Sequence, residues 1–140
     1  MKIQVAVVAA AIALSGCSTI GTGGGRAPAA SGPATPAAPE TIISAMDGGL
    51  IGGSIGAGLR ESDRRTALQA EYRALEYTAG GKTVDWQGSG ASGSVTAAQP
   101  YRVGSQDCRQ YTHVVLSGGQ NRTARGTACR NPDGSWTPLT

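Results

Sequence analysis

Phenylalanine is absent from this 140-residue sequence, and the aromatic complement is four tyrosines and two tryptophans. All six lie between Tyr72 and Trp136, so any core is small, aromatic-dependent and confined to the C-terminal half. Histidine occurs once, at His113, beside three cysteines. A zinc site built on Cys108, His113 and Cys129 falls one ligand short of a structural site. A Cys–His nucleophilic pair needs a free thiolate, and no serine sits in a nucleophile elbow. No catalytic residue, metal site or cofactor is therefore expected. Long apolar runs are missing as well: residues 5–13 reach about half of the roughly 20 residues that a bilayer requires. Charge is sparse and nearly balanced, with 12 Lys and Arg against 9 Asp and Glu, a net +3 that gives no argument for a nucleic-acid partner.

The N-terminus does carry a pattern. Met1 and Lys2 precede the apolar run, and Leu14, Ser15, Gly16 and Cys17 follow it, the arrangement of a bacterial lipoprotein signal peptide ending in a lipobox. Small residues fit the narrow groove of the signal peptidase, and the Cys17 thiolate takes the diacylglyceryl group. The reading is a signal peptide over 1–16 and lipid attachment at Cys17. Ser18 after that cysteine resembles lipoproteins sorted to the outer membrane. Residues 17–40 are almost all Gly, Ala, Pro, Ser and Thr and read as a lipidated, disordered tether with no core of its own.

Residues 41–59 hold Gly48, Gly52 and Gly56 at intervals of four, with Leu50, Ile51, Ile55 and Leu59 among them. On a helix these glycines make a flat stripe of the small-xxx-small kind, at a cost of nearly 1 kcal/mol per glycine in water. The segment needs something packed on it. A membrane, a sister chain or its own domain each suffice, and a partly ordered glycine-rich lead-in is the alternative. Self-association through this glycine-zipper segment is one expectation. Asp47 argues against a full span.

Residues 60–140 read as one α+β domain. A helix runs from Ser62 or Asp63, either able to cap it, to about Tyr77, with Leu68, Tyr72 and Leu75 on one face and charged residues on the other. Strands follow over 82–87, 93–99, 107–117, 120–130 and 135–137, with an Asn131-Pro132-Asp133-Gly134 turn before the last. Gly118 and Gly119 suit a two-residue hairpin loop. That register sets Cys108 opposite Cys129 at a non-hydrogen-bonded pair, where a disulfide fits. An exported chain with an even pair of cysteines is expected to form it, and the closed loop is worth on the order of 3 kcal/mol.

Gly88, Gly90 and Gly93 spell G-x-G-x-x-G, but Ser94, Val95 and Thr96 continue as a strand where a dinucleotide site needs a helix. They read as a glycine-rich loop. Between residues 101 and 130, Arg102, Arg109, Arg122, Arg125 and Arg130 stand against Asp107 alone, either a solvated strand face or a contact for anionic envelope polymer or lipid headgroups. Hairpin register puts Arg109, Tyr111, His113, Val115 and Arg122 on one side and Arg125 on the other with Thr112, Val114 and Leu116. The helix is expected over Tyr111 and Val115, where Gly126 and Ala124 leave room, so Arg125 remains free for an anionic partner.

The order of lipobox, glycine segment, the Asp63-Arg64 and Glu71-Tyr72-Arg73-Ala74-Leu75-Glu76 helix, Cys108-Arg109-Gln110-Tyr111, and Gly126-Thr127-Ala128-Cys129-Arg130 leading to Pro132-Asp133-Gly134-Ser135-Trp136 resembles the 17-kDa surface antigen family of outer-membrane lipoproteins. The resemblance implies an outer-membrane, surface-associated lipoprotein with a structural or antigenic role and no catalytic residues. Expected partners are the membrane, through covalent lipid, and an envelope polymer or protein such as peptidoglycan or lipopolysaccharide.

Overall fold

The computed structural model describes residues 39–139. The signal peptide, Cys17 and nearly all of the expected tether lie outside them. Residues 39 and 40, assigned to the tether from composition, instead open a short helix, α1 (Pro39–Ser44). Proline at a first helical position loses no hydrogen bond, and Glu40 suits the first turn.

After α1 the chain does not continue as a helix. Asp47, Gly48 and Gly49 take φ of 51°, 80° and 59°, a left-handed run that breaks any α-helical stripe. Two single 3₁₀ turns follow, Leu50–Gly52 and Ser54–Gly56. The glycine-zipper helix is thus corrected to an irregular strap. Gly48, Gly52 and Gly56 do not share a face. A Cβ on Gly52 meets nothing within 4 Å, whereas one on Gly56 would run into the Ile51 carbonyl. Ile42, Ile43, Met46, Ile51, Ile55 and Leu59 are buried in the same core as the rest of the domain, so the strap's own domain is what packs on it.

Helix α2 (Glu61–Glu76) matches the expected helix closely, but its start differs. Arg60 is the N-cap and no side chain caps the helix. Asp63 is buried and faces the loop after β1 (Thr83–Gln87), accepting from the Ser89 amide (2.8 Å), the Ser89 hydroxyl (3.1 Å) and the Gly90 amide (3.0 Å). These bonds hold its carboxyl below the ordinary range, the Ser89 amide foremost. Gly88 and Gly90 admit this carboxylate, and Gly93 admits the Trp86 ring, so the G-x-G-x-x-G run serves local packing. Ala67, Ala70 and Ala74 are fully buried and let α2 lie close to the sheet.

The sheet is antiparallel, in the order β1, β2 (Ala91–Ala97), β4 (Gln106–Ser117), β5 (Gln120–Arg130) and β6 (Trp136–Pro138), with the short β3 (Tyr101–Val103) pairing with one end of β4. The β4–β5 register is the expected one, from Ser117 opposite Gln120 to Cys108 opposite Cys129. Gly118 and Gly119, at φ of 59° and 75°, supply the turn whose twist suits the hairpin. Cys108 and Cys129 form a disulfide with Cα atoms 4.0 Å apart. Strand β3 escaped the sequence reading because it is three exposed residues long.

One face of the sheet is covered. Arg109, Tyr111, His113 and Val115 are buried beneath α2 and the strap, as the register required. The space over Gly126, however, is filled by Leu50 of the strap and not by α2. The helix C-terminus is held by two arginines. Arg109 Nη1 donates to the carbonyls of Ala74 (3.0 Å), Leu75 (2.6 Å) and Thr78 (3.0 Å), and its Nε to that of Ala98 (2.7 Å). Arg130 grips Glu76 with two bonds, at 2.8 and 2.9 Å, and the Trp136 indole N–H adds a third at 2.8 Å. Glu76 therefore pairs across to β5.

Two outcomes follow from these anchors. Arg109→Met leaves four carbonyls without their buried donor, and is expected to cost about 3 kcal/mol, read as a lower urea midpoint with unchanged m-value. Glu76 has its carboxyl held low by Arg130 and by Trp136, against burial. A depressed folded value stabilises above the unfolded carboxylate range and is lost as pH falls through it. The melting-temperature gap between wild type and Glu76→Gln should hence be full at pH 7 and shrink between about pH 5 and pH 3.

Candidate functional site

At the centre of the covered face sits Glu71, fully buried on α2. Its carboxylate accepts from the amides of Leu50 (3.0 Å) and Ile51 (2.9 Å) on the strap, and from the Tyr111 hydroxyl (3.3 Å). His113 Nδ1 lies 2.7 Å from the other side of the same group. Across the ring, the Trp86 indole N–H donates to His113 Nε2 at 2.9 Å. An indole nitrogen only donates, so Nε2 is the acceptor and the ring proton sits on Nδ1, directed at Glu71. The cluster is a carboxylate met by four donors, with a neutral imidazole as one of them. Burial and the neighbouring carboxylate push the Tyr111 hydroxyl far above its usual range.

This arrangement resembles an acid–base pair in composition only. Glu71 and His113 are both wholly inaccessible, and their hydrogen-bonding positions are filled by the protein itself. The cluster joins strap, helix and sheet. Sequence reasoning placed His113 on the covered side but treated Glu71 as a surface residue. The signal for Glu71 lay in its position, four residues after Ala67 and three before Ala74, on the alanine face of α2.

The five arginines divide sharply. Arg109 and Arg130 hold the end of α2, as described. Arg102 pairs with Asp107 at 3.0 Å. Arg122 Nη1 reaches the carbonyls of Ser54 (3.5 Å), Ile55 (3.4 Å) and Ala57 (2.8 Å) at the end of the strap. Arg125 alone of the five has no hydrogen-bond or ion-pair partner among the described residues. It is exposed on the open face, as expected, and borders a hollow of about 520 Å3 with Thr96, Thr112, Thr127 and Gln110.

The rest of that face is mostly polar, with Val114 and the exposed Leu116 as its apolar members. Across the strands, Thr83, Thr96 and Thr112 lead to Arg125, and Asp85, Ser94 and Val114 lead to Thr123. The Cys108–Cys129 bridge lies on this same side, far along the hairpin from the Gly118–Gly119 turn. Among the described residues no helix is long and apolar enough to cross a membrane.

Part of the domain is similar to one described family. The model of the family described as "17 kDa outer membrane surface antigen" matches residues 73–137. The 17 kDa surface antigen of Rickettsia bellii (strain RML369-C) is 45% identical over 85 residues, covering 59% of this chain and 54% of its own length. That of Rickettsia felis (strain ATCC VR-1525 / URRWXCal2) is 45% identical over 82 residues, covering 56% and 52%. That of Rickettsia australis is 44% identical over 81 residues, covering 56% and 53%. The chain spans about half the length of the curated relatives it matches. No solved structure matches it. From the last turn of α2 through β6, over residues 73–137, the chain is similar to the 17-kDa surface antigen family.

Proposed function

We propose that this protein is a lipid-anchored outer-membrane protein with a structural and antigenic role in the bacterial envelope. The observation that carries the reading is the family match over residues 73–137, whose description names an outer membrane surface antigen. Two features of the chain support it. The lipobox ending at Cys17 supplies an anchor, since two or more acyl chains suffice for stable attachment at about 0.8 kcal/mol per buried CH2. The residues between Cys17 and α1, rich in Ala, Pro and Gly, give the domain reach from the membrane. The role is one of presentation: most buried polar groups of the domain are engaged with one another, Arg64 Nε and Arg109 Nη2 excepted, and the open sheet face is largely hydroxyls, amides and isolated charges.

A second reading deepens the first. The unpaired Arg125, set beside Thr96, Thr112, Thr127 and Gln110, suits an anionic group carried on a hydroxylated polymer, as in peptidoglycan or lipopolysaccharide. It replaces the broader picture of an arginine-rich hairpin, because the other four arginines are committed within the domain.

Both readings have direct checks. Metabolic labelling with a fatty acid is expected to mark the wild-type chain and to leave Cys17→Ser as an unlabelled, uncleaved precursor; label on that variant would overturn the anchor. For the second, Arg125→Glu in the non-lipidated chain should lower retention on envelope fractions by about tenfold at low salt, with little effect at high salt and none on melting temperature. Equal retention of the two proteins removes the anionic ligand.

A further inference from the structure

The sheet ends on β5, but β6 covers only part of that strand. β6 pairs with Ala128, Cys129 and Arg130, and the Leu139 amide adds one bond to the Thr127 carbonyl at 2.8 Å. Between that point and the Gly118–Gly119 turn runs a window, residues 120–126. Backbone groups alternate in direction along an antiparallel strand. Ser117 and Gln120 close the hairpin, so Gln120, Arg122, Ala124 and Gly126 turn their amides and carbonyls towards β4. Asn121, Thr123 and Arg125 turn theirs outwards, in phase with the outward Thr127 carbonyl that Leu139 meets. Among the described residues nothing meets the outward amides and carbonyls of those three. All three residues are exposed.

A bare row of strand backbone groups is the complement of one kind of occupant, another extended strand. We propose that residues 120–126 pair antiparallel with the same residues of a second copy of this chain, about a twofold axis at Thr123. The window is symmetric about that residue, so Gly126 of one copy comes opposite Gln120 of the other, and each strand stops where the turn and β6 begin. Every outward amide and carbonyl of Asn121, Thr123 and Arg125 then finds a partner. Side chains agree with this register. On the open face Arg125 lies opposite the second copy's Asn121, whose amide oxygen accepts from a guanidinium, and Thr123 meets its own equivalent. No two arginines lie directly opposite. On the covered side Arg122 comes opposite Ala124, with its guanidinium already turned into its own domain towards the carbonyls of Ser54, Ile55 and Ala57.

Seven paired residues make a contact about 24 Å long. That falls well short of the about 1,200 Å2 of total surface that stable interfaces bury, so the contact is weak in dilute solution. Confinement of anchored copies to one membrane plane raises their effective concentration towards the millimolar range, a step that rests on the lipid-anchor reading. The proposal moves self-association away from the glycine segment, which is spent on its own domain, to the edge of the sheet.

Thr123→Cys in the full-length chain tests the axis directly. Under mild oxidation, in envelope membranes and separately in concentrated solution, it should give about tenfold more reducible dimer than Asp85→Cys on the opposite sheet edge. No excess in either setting overturns the proposal. So does dimer that forms only when Thr123→Cys and Asp85→Cys chains are mixed, which would mean head-to-tail pairing of β5 with β1. Thr123→Pro removes the central outward amide and no β4–β5 bond, so it should abolish concentration-dependent dimer in sedimentation while the melting temperature holds. A folded Thr123→Pro chain that dimerises as wild type also sinks the idea, and if that variant does not fold the cysteine result decides. Because the solution arm needs no acyl chain, failure of the anchor and failure of the edge are read separately.

Discussion

A single buried carboxylate organises this domain. Glu71 takes hydrogen bonds from two strap amides and from Tyr111 and His113 on β4, and through His113 it is linked to Trp86 on β1. Among the described residues no guanidinium or ammonium contributes. Withdrawing an ion from water carries an effective penalty of several kcal/mol, offset only when its remaining lone pairs are satisfied. Each of the three parts is consequently conditional on the others: a strap that lifted away would strip Glu71 of half its donors and leave a buried charge behind. Apolar packing alone is non-directional and does not impose that condition on the charge. The two amides fix the position of the strap. The strap's irregular backbone makes those amides available, since a continuous helix through residues 48–56 would have used them internally.

The arginines extend the same logic to the ends of elements. The last carbonyls of α2 have no partners within the helix, and a cation there also meets the negative end of the helix dipole. Arg109, buried and losing some of its basicity to desolvation, fills that place with a single guanidinium. Arg122 does the corresponding work for the turn at residues 54–57. A sequence with few charges thus spends most of its hairpin cations on backbone carbonyls and carboxylates within the domain. Of the hairpin's arginines only Arg125 is left without a partner among the described residues.

How much of this was legible depends on the range of the interaction involved. The β4–β5 register was legible because a two-residue glycine loop fixes it locally and the cysteines provide an independent check twenty-one residues apart. Helix α2 was legible from its apolar period, and from period and register together came the choice of covered face. The strap was not, for its shape rests on left-handed φ at Asp47, Gly48 and Gly49 and on a carboxylate twenty residues away in sequence. Regular glycine spacing suggested a helical stripe; tertiary hydrogen bonds overrode it. Asp63 was misplaced for a related reason. It has the chemistry of a cap, yet the Ser89 and Gly90 amides offered it better-placed donors than the helix start did. Charge counts misled in the same way, because composition cannot distinguish an arginine facing solvent from one facing a carbonyl.

The two faces of the sheet consequently answer to different constraints. On the covered side nearly every position is tied to Glu71, Trp86 or the strap, and a change of size or polarity there disturbs several contacts at once. On the open side Thr83, Ser94, Thr96, Thr112 and Thr123 touch little besides one another, and the backbone that holds them is ordered by bonds to neighbouring strands and by the packing beneath. Exposed substitutions of this kind commonly change stability by no more than about 0.5 kcal/mol. The disulfide adds to this separation, clamping the hairpin from the open side without drawing on the core. A surface whose residues can change while its scaffold stays fixed is well matched to display at a cell boundary, where composition of the outer face is under pressure from whatever it meets. The limit on such freedom is the sheet edge. Any residue except proline can sit at Asn121, Thr123 or Arg125 without changing the core, and their outward amides and carbonyls then persist regardless of side chain, so the backbone itself is the constant feature that the domain presents.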